Sequence, residues 1–242
     1  MNNLTIGILL TDHVLEDLKA KHGDQDNFYY KIFSEVDKNI KLKIYDVTQN
    51  LFPEDINECN GYLITGSKLS VYDDIQWIRE LEEYIRYLNS AKKKLLGVCF
   101  GHQLIAKALG GSVRKAPAGW VTGLQSYNVH AYFPWVDSFD EEIKLIHSHQ
   151  DQVTELPEKA TLVASNSKVP IAMYYIDNHI MSVQGHPEFT NEYAYDVVCK
   201  RRDILGEELF KQTEDSLLNE KSSYLEVTRW WTSFFKKTNE IL

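Results

Sequence analysis

Gly97-Val98-Cys99-Phe100-Gly101-His102-Gln103-Leu104-Ile105-Ala106-Lys107-Ala108-Leu109-Gly110-Gly111 sets a cysteine between two glycines, where the apolar run from Lys94 to Val98 gives way to helical spacing. A strand ending at Val98 and a helix starting near Phe100 force the residue between them into a sharp, strained turn that pushes its side chain out at the end of a sheet. Glycines at 97 and 101 remove the Cβ atoms that would collide across that turn. The sulfur then lies over the free N–H groups and positive dipole end of the helix, a setting that favours thiolate over thiol. Taken alone, Cys99 also fits a small apolar residue buried at a strand end.

Upstream of this elbow, strands and helices alternate. Leu4 to Leu10 reads as a continuous apolar strand, Phe28 to Val36 as a helix, and Leu42 to Val47 and Gly61 to Thr65 as the next strands. Ile75, Ile78, Leu81, Ile85 and Leu88 recur at helical spacing and define one buried face. The elbow helix stops at Gly110-Gly111. Such alternation, with strands apolar throughout, implies a parallel sheet covered on both faces. In such sheets sites form beyond the carboxyl ends of the strands, where Gly66 and Cys99 both fall.

Downstream, strands dominate. Ser126 to Tyr132, Ile143 to His147 and Ala160 to Ser165 are candidates, and Ile171 to Ile176 and His179 to Gln184 flank Asp177-Asn178, a two-residue hairpin signal. The segments Tyr193 to Leu205, Glu208 to Leu218 and Leu225 to Phe235 read as helices. The strand Ile180 to Val183 runs into Gln184-Gly185-His186-Pro187-Glu188. Residues two apart on an extended segment point to one side, which makes the His186 imidazole and the Glu188 carboxylate neighbours, and Pro187 stiffens the chain between them. An imidazole oriented by a carboxylate is what a thiol needs as a general base, so Cys99, His186 and Glu188 form a candidate set of nucleophile, base and orienting acid.

In this order the two motifs resemble class I glutamine amidotransferases, over roughly Leu4 to Thr190. The resemblance extends to a glycine loop, Thr65-Gly66-Ser67, and to the stretch His149-Gln150-Asp151-Gln152-Val153. It implies a flavodoxin-like α/β fold and a Cys-His-Glu triad in which Cys99 is acylated by the γ-carbonyl of glutamine or a γ-glutamyl compound. It implies an oxyanion hole from the N–H groups of Gly66 and Phe100, and a role for Gln103 in holding the amino-acid end of the substrate. Phe100 has a physical reason as well, since its N–H sits unpaired at a helix start. The whole chain is also similar to the stand-alone branch containing the cytosolic γ-glutamyl peptidases of plants, which cleave γ-glutamyl peptides and do not feed a synthetase. The chain departs from the pattern at Lys68, where several families have proline in the glycine loop, and at Pro117 to Gly123, which lacks the acidic residue often found there. Lys68 reads as a solvated loop lysine or as a partner for a substrate carboxylate, and His149 has no assigned role.

Composition sets the outer limits. A chain of 242 residues, 43% hydrophobic, can bury one large core. A net charge of −9 argues against a nucleic-acid surface. Lys92-Lys93-Lys94 is a basic run and reads as a solvated helix end. Cysteines at 59, 99 and 199 form no C-x-x-C pair, which points to a reducing, cytoplasmic setting. The apolar opening is followed by Asp12 and reads as a strand and not a leader, and no apolar run approaches membrane-spanning length. Neither a G-x-x-x-x-G-K-[ST] loop nor a Ser-Gly-Gly-x-Asp-Ser loop is present to activate an ammonia acceptor.

The expectation is one α/β domain over 1–242, with a mostly parallel central sheet, helices on both faces, a strand-rich second half, and 190–242 as C-terminal packing helices. Its function is expected to be Cys-dependent hydrolysis of a γ-glutamyl amide, on glutamine or on a γ-glutamyl peptide, without cofactor or metal. The expected partner is a small γ-glutamyl substrate, with a separate synthase subunit left open and neither nucleic acid nor membrane involved. The alternative from another class is a non-catalytic regulatory or binding relative.

Overall fold

The computed structural model describes residues 4–136 and 142–237. The first half holds β1 (Thr5–Leu10), α1 (Glu16–His22), α2 (Gln25–Val36), β2 (Lys41–Asp46), β3 (Gly61–Ile64), α3 (Gln76–Ser90), β4 (Lys94–Val98) and α4 (Phe100–Ala108). The second half holds β5 (Ser112–Lys115), β6 (Val121–Val129), β7 (Glu142–His149), β8 (Asp151–Glu155), β9 (Ala160–Ser165), β10 (Met173–Ile176) and β11 (Ile180–Val183). It closes with α5 (Asn191–Lys200), α6 (Arg202–Leu205), α7 (Glu207–Asn219) and α8 (Tyr224–Lys236).

Among the described residues nine strands form one sheet in the order β2-β1-β3-β4-β11-β10-β9-β6-β7. Pairings from β2 through β11 are parallel, and those from β11 to β7 are antiparallel. The parallel half is buried on both faces because its residues alternate between two cores. Ile6, Ile8, Leu63, Leu96 and Val98 pack with Tyr29, Ile32 and Phe33 of α2 and Trp230, Trp231 and Phe234 of α8. Leu9, Tyr62, Ile64 and Leu95 face the opposite way, toward Ile78, Leu81, Ile85 and Leu88 of α3 and Leu104 and Ile105 of α4. α4 stops as its glycines require, with Gly110 at φ 95° and the Gly111 N–H returning to the Ala106 carbonyl at 2.8 Å.

Several elements differ from expectation. The helix expected from Phe28 starts three residues earlier, because the Asp24 carboxylate caps it and Asn27 reaches back to the Asp24 N–H. α1 has no counterpart among the expected elements, since only Leu18 of its seven residues is buried and no apolar stripe marks it. β5 and β8 pair in a separate two-stranded sheet made largely of polar residues. β6 starts at Val121 rather than Ser126, and the hairpin joining β10 to β11 turns over Asp177 to His179 with Asp177 at φ 48°, one residue longer than the Asp177-Asn178 signal. The expected helix from Tyr193 to Leu205 breaks at Arg201 into α5 and α6. Lys94 is not a solvated helix end. It lies in β4 at 5% exposure, donates to the Asn178 carbonyl at 2.5 Å, and sits 4.6 Å over the Phe234 ring. Burial, with Lys237 nearby, pushes its ammonium down to about 8.

Candidate active site

Three chain segments meet at the carboxyl ends of β3, β4 and β11. At the end of β4, Cys99 takes φ 50° and ψ −100°, a left-handed backbone that a non-glycine residue holds only under constraint. The constraint is visible: its N–H donates to Val183 O at 2.9 Å, and its carbonyl accepts from the Gln103 N–H at 3.0 Å. The glycines on either side answer to close packing. A Cβ on Gly97 would lie 2.7 Å from the Gly101 carbonyl, and one on Gly101 would lie 2.5 Å from the Ile64 carbonyl. α4 is thereby drawn onto the sheet with Cys99 at its N-terminal end.

After β3 the chain forms the glycine loop. The Thr11 hydroxyl holds it to the end of β1 by donating to Gly66 O at 3.0 Å, and Gln25 Nε2 donates to the same carbonyl at 3.2 Å. A Cβ on Gly66 would lie 2.9 Å from His186 Cε1 and 3.5 Å from Cys99 Cβ, so this loop touches both side chains. Among the described residues no acceptor takes the N–H of Gly66 or of Phe100, whereas the Gly101 N–H donates to Thr65 O at 3.2 Å.

β11 ends at Val183, and the chain then bends, so His186 and Glu188 lie on a turn rather than an extended strand. The His186 N–H donates to Ile146 O of β7 at 2.8 Å. Its Nδ1–H donates to Glu188 Oε1 at 2.7 Å, and Phe189 stacks on the ring at 4.0 Å. Cys99, His186 and Glu188 are each about 95% buried, at 5%, 4% and 4% exposure. Burial pulls the imidazole toward its neutral form, but the Glu188 carboxylate and the Cys99 sulfur outweigh it and push His186 up to about 10. Tyr29, fully buried on α2, lies close enough to Glu188 for that charge, added to burial, to hold its phenol well above the usual range.

One pocket takes in Gly66, Cys99, Gln103, Trp120, His186, Tyr193 and Arg201. Gln103 is in place at its wall, but its Nε2 is already used, donating to Asp151 O at 2.7 Å and Gln184 Oε1 at 3.1 Å. The Asp151 carboxylate accepts from Ser70 Oγ at 2.5 Å and from the Tyr72 hydroxyl at 2.8 Å. Lys68 stands at the rim, half exposed, paired with Asp12 at 2.9 Å. His149, in the pocket wall, begins a relay of neutral groups that runs back into the protein. Its Nδ1–H donates to Asp151 O at 2.9 Å, its Nε2 accepts from His147 Nδ1–H at 2.8 Å, and His147 Nε2 accepts from the Tyr127 hydroxyl. Desolvation pushes His149 down to about 3 and His147 well below its ordinary value. His102, which no motif assigns, is buried against Ser182 Oγ at 2.6 Å and pushed down to about 3 by desolvation and then by His149.

Sequence motifs do not single out Tyr29, Tyr193 or Arg201, and Asp151 enters only within the stretch from His149 to Val153. Arg201 has no local signal, because its place depends on the break between α5 and α6. Among the described residues no group of His, Cys, Asp and Glu side chains is arranged to hold a metal, and no helix is long and apolar enough to cross a membrane.

The fold is shared with a solved glutamine amidotransferase from Thermotoga maritima, which superposes with a TM-score of 0.74 at 18% identity over 97% of each chain. In sequence the chain is 34% identical to gamma-glutamyl peptidase 3 of Arabidopsis thaliana over 206 residues, covering 81% of this chain and 80% of that protein. It is 34% identical to a glutamine-hydrolyzing GMP synthase subunit of Sulfolobus acidocaldarius over 152 residues, covering 62% of this chain and 79% of that one. The profile of the family described as glutamine amidotransferase class-I matches residues 25–200, a span that includes the elbow, the glycine loop and the His186 turn. With most of its length inside that profile and a γ-glutamyl peptidase relative at this level of identity over most of both chains, the chain belongs to the class I glutamine amidotransferases.

Proposed function

We propose that the chain is a stand-alone hydrolase that cleaves γ-glutamyl amide bonds through a γ-glutamyl thioester on Cys99. The observation that carries this reading is the His186–Glu188 hydrogen bond of 2.7 Å beside a cysteine held in an elbow at φ 50°. With the proton resting on His186, Cys99 attacks the γ-carbonyl, and the oxygen that gains charge is met by the N–H groups of Gly66 and Phe100. The tetrahedral intermediate collapses as the C–N bond breaks, and His186 gives its proton to the departing amine. Water then enters, its proton passes to His186, its oxygen bonds to the thioester carbon, and the Cys99 sulfur leaves to release the γ-carboxylate. Gln103 Oε1, the part of that side chain not engaged by Asp151 O, is the acceptor available to the donor's ammonium.

Peptides stand beside glutamine as donors because a γ-glutamyl peptidase relative is 34% identical over 81% of this chain. The test is a release assay on the purified chain with glutamine, γ-glutamyl dipeptides and glutathione, with the thioester trapped by acid quench and mass measurement. An acyl adduct mapped to Cys99, with turnover of the peptides in the absence of any added protein, supports the reading. Weak turnover of every donor that rises when a co-purified synthase is added would make the chain an amidotransferase subunit instead.

A further inference from the structure

Glu188 has two carboxylate oxygens, and the set of Cys99, His186 and Glu188 uses one of them. Oε1 accepts from His186 Nδ1–H at 2.7 Å, while Oε2 is fully buried and finds no hydrogen-bond partner among the described residues. A charged oxygen cut off from water and left without a donor is a costly arrangement. The Tyr29 hydroxyl is its complement, fully buried and equally without a partner among the described residues. Burial first, and the Glu188 charge after it, keep the proton on that phenol, so Tyr29 can meet the carboxylate only as a donor.

The packing of α2 brings the two groups together. One turn before Tyr29, on the same face of the helix, Gln25 Nε2 donates to Gly66 O at 3.2 Å. Next to Tyr29, the Phe28 ring meets the ring of Phe189, the residue after Glu188, edge to face at 6.1 Å. α2 therefore touches the glycine loop with its first turn and the His186 turn with its second, and Tyr29 packs in the core that includes Cys99. The Asp24 capping box fixes where the helix starts, and so which of its residues face the site. We propose that Tyr29 is a positioning residue whose hydroxyl donates to Glu188 Oε2, so that Oε1 stays on His186 Nδ1 and the imidazole stays turned toward Cys99. Its effect on turnover rests on the γ-glutamyl hydrolase reading above; the contact itself does not.

The experiment is a double-mutant cycle between Tyr29→Phe and Glu188→Ala. Phenylalanine keeps the ring and its packing and removes only the hydroxyl. In the wild-type background Tyr29→Phe should lower kcat on a γ-glutamyl dipeptide by about 10-fold, the scale of one hydrogen bond to a charged group. KM should stay unchanged, because Tyr29 does not line the pocket. In the Glu188→Ala background the same substitution should change kcat by less than about twofold, since the partner is already gone. Equal losses in the two backgrounds would make Tyr29 a packing residue and overturn the inference, and so would a wild-type kcat in Tyr29→Phe. Alkylation of Cys99 by iodoacetamide in the same four chains needs no γ-glutamyl donor and separates the two readings. Slower alkylation of Tyr29→Phe than of wild type, with no difference between the two Glu188→Ala chains, upholds the contact; if every donor is then inert, the hydrolase reading alone falls. Donors turned over normally, with alkylation of Tyr29→Phe at the wild-type rate, remove the Tyr29 contact alone.

Discussion

Burial alone would strip the proton from His186, yet Glu188 and the Cys99 sulfur hold it there up to a pH of about 10. Each of the three side chains therefore has a different loss attached to it. Cys99→Ala should abolish turnover, and His186→Ala should come close, since both the attacking thiol and the proton for the leaving amine depend on it. Glu188→Ala leaves an imidazole in place and should be about 10- to 100-fold less damaging than His186→Ala. The Glu188→Gln chain adds a signature in pH: with the carboxylate charge gone, His186 loses its proton at lower pH, so the basic limb of kcat/KM should move downward. Single-turnover rates for the four chains across the pH range check both points, and a basic limb that stays in place would mean that Glu188 does not set the His186 proton. The juxtaposition of these three residues was legible from two short motifs. Tyr29 was not, because nothing in Phe28-Tyr29-Tyr30 distinguishes the tyrosine that α2 turns toward Glu188.

At the scale of elements, the decisive contact is α4 against β3. Gly101→Ala would set a Cβ 2.5 Å from a backbone carbonyl, which cannot swing aside as a side chain would. Alanine is the better helix former by about 1 kcal/mol, but overpacking against backbone costs about 1–3 kcal/mol, so steric strain should win or cancel the gain in stability while moving α4 off the sheet. A displacement of about 1 Å at a nucleophile can cost about 100-fold in rate. The expected outcome is thus a small fall in the melting temperature, about 2–4 °C per kcal/mol, with a far larger fall in the rate of Cys99 acylation. Equal thioester formation in Gly101→Ala and wild type would count against the elbow as the device that presents the sulfur. Elements in this half of the sheet were readable because their strands are apolar throughout and their helices carry one apolar face, as in Ile78, Leu81, Ile85 and Leu88. The β5–β8 ribbon was not. Its pairing joins residues far apart in the chain through polar side chains such as Arg114 and Gln152, where neither alternation nor a turn signal marks the strand.

The whole molecule carries a set of imidazoles that it keeps uncharged. Desolvation comes first in holding His102 and His149 at about 3 and His179 at about 4, and it also holds His147 well below its ordinary value. In the unfolded chain each would bind a proton near a pH of about 6.5. Below that pH the unfolded state takes up more protons than the folded one, so each such histidine lowers stability by about 1.4 kcal/mol per pH unit until its folded-state value is reached. His186 has the opposite sign: its contribution is complete below about pH 6.5 and is lost only as the pH rises toward about 10. Urea unfolding should therefore show stability falling steeply from about pH 6.5 toward about pH 4. A midpoint that holds constant over that window would contradict the neutral relay from Tyr127 through His147 and His149 to Asp151. Parallel and antiparallel halves were legible as a strand-helix region followed by a strand-rich one. The fact that the C-terminal helices also furnish the pocket was not, since Tyr193 and Arg201 reach it only once α5 packs beside β7.

Trp120 stands apart from the chain's other tryptophans. Of the five, Trp77, Trp135, Trp230 and Trp231 lie in the cores at 8%, 7%, 4% and 0% exposure, while Trp120 lines the pocket beneath a guanidinium. The molecule is consequently equipped with an optical sensor of its own occupancy: whatever settles against Arg201 alters the surroundings of a single indole, and the remaining four supply a constant background of emission against which that change is seen.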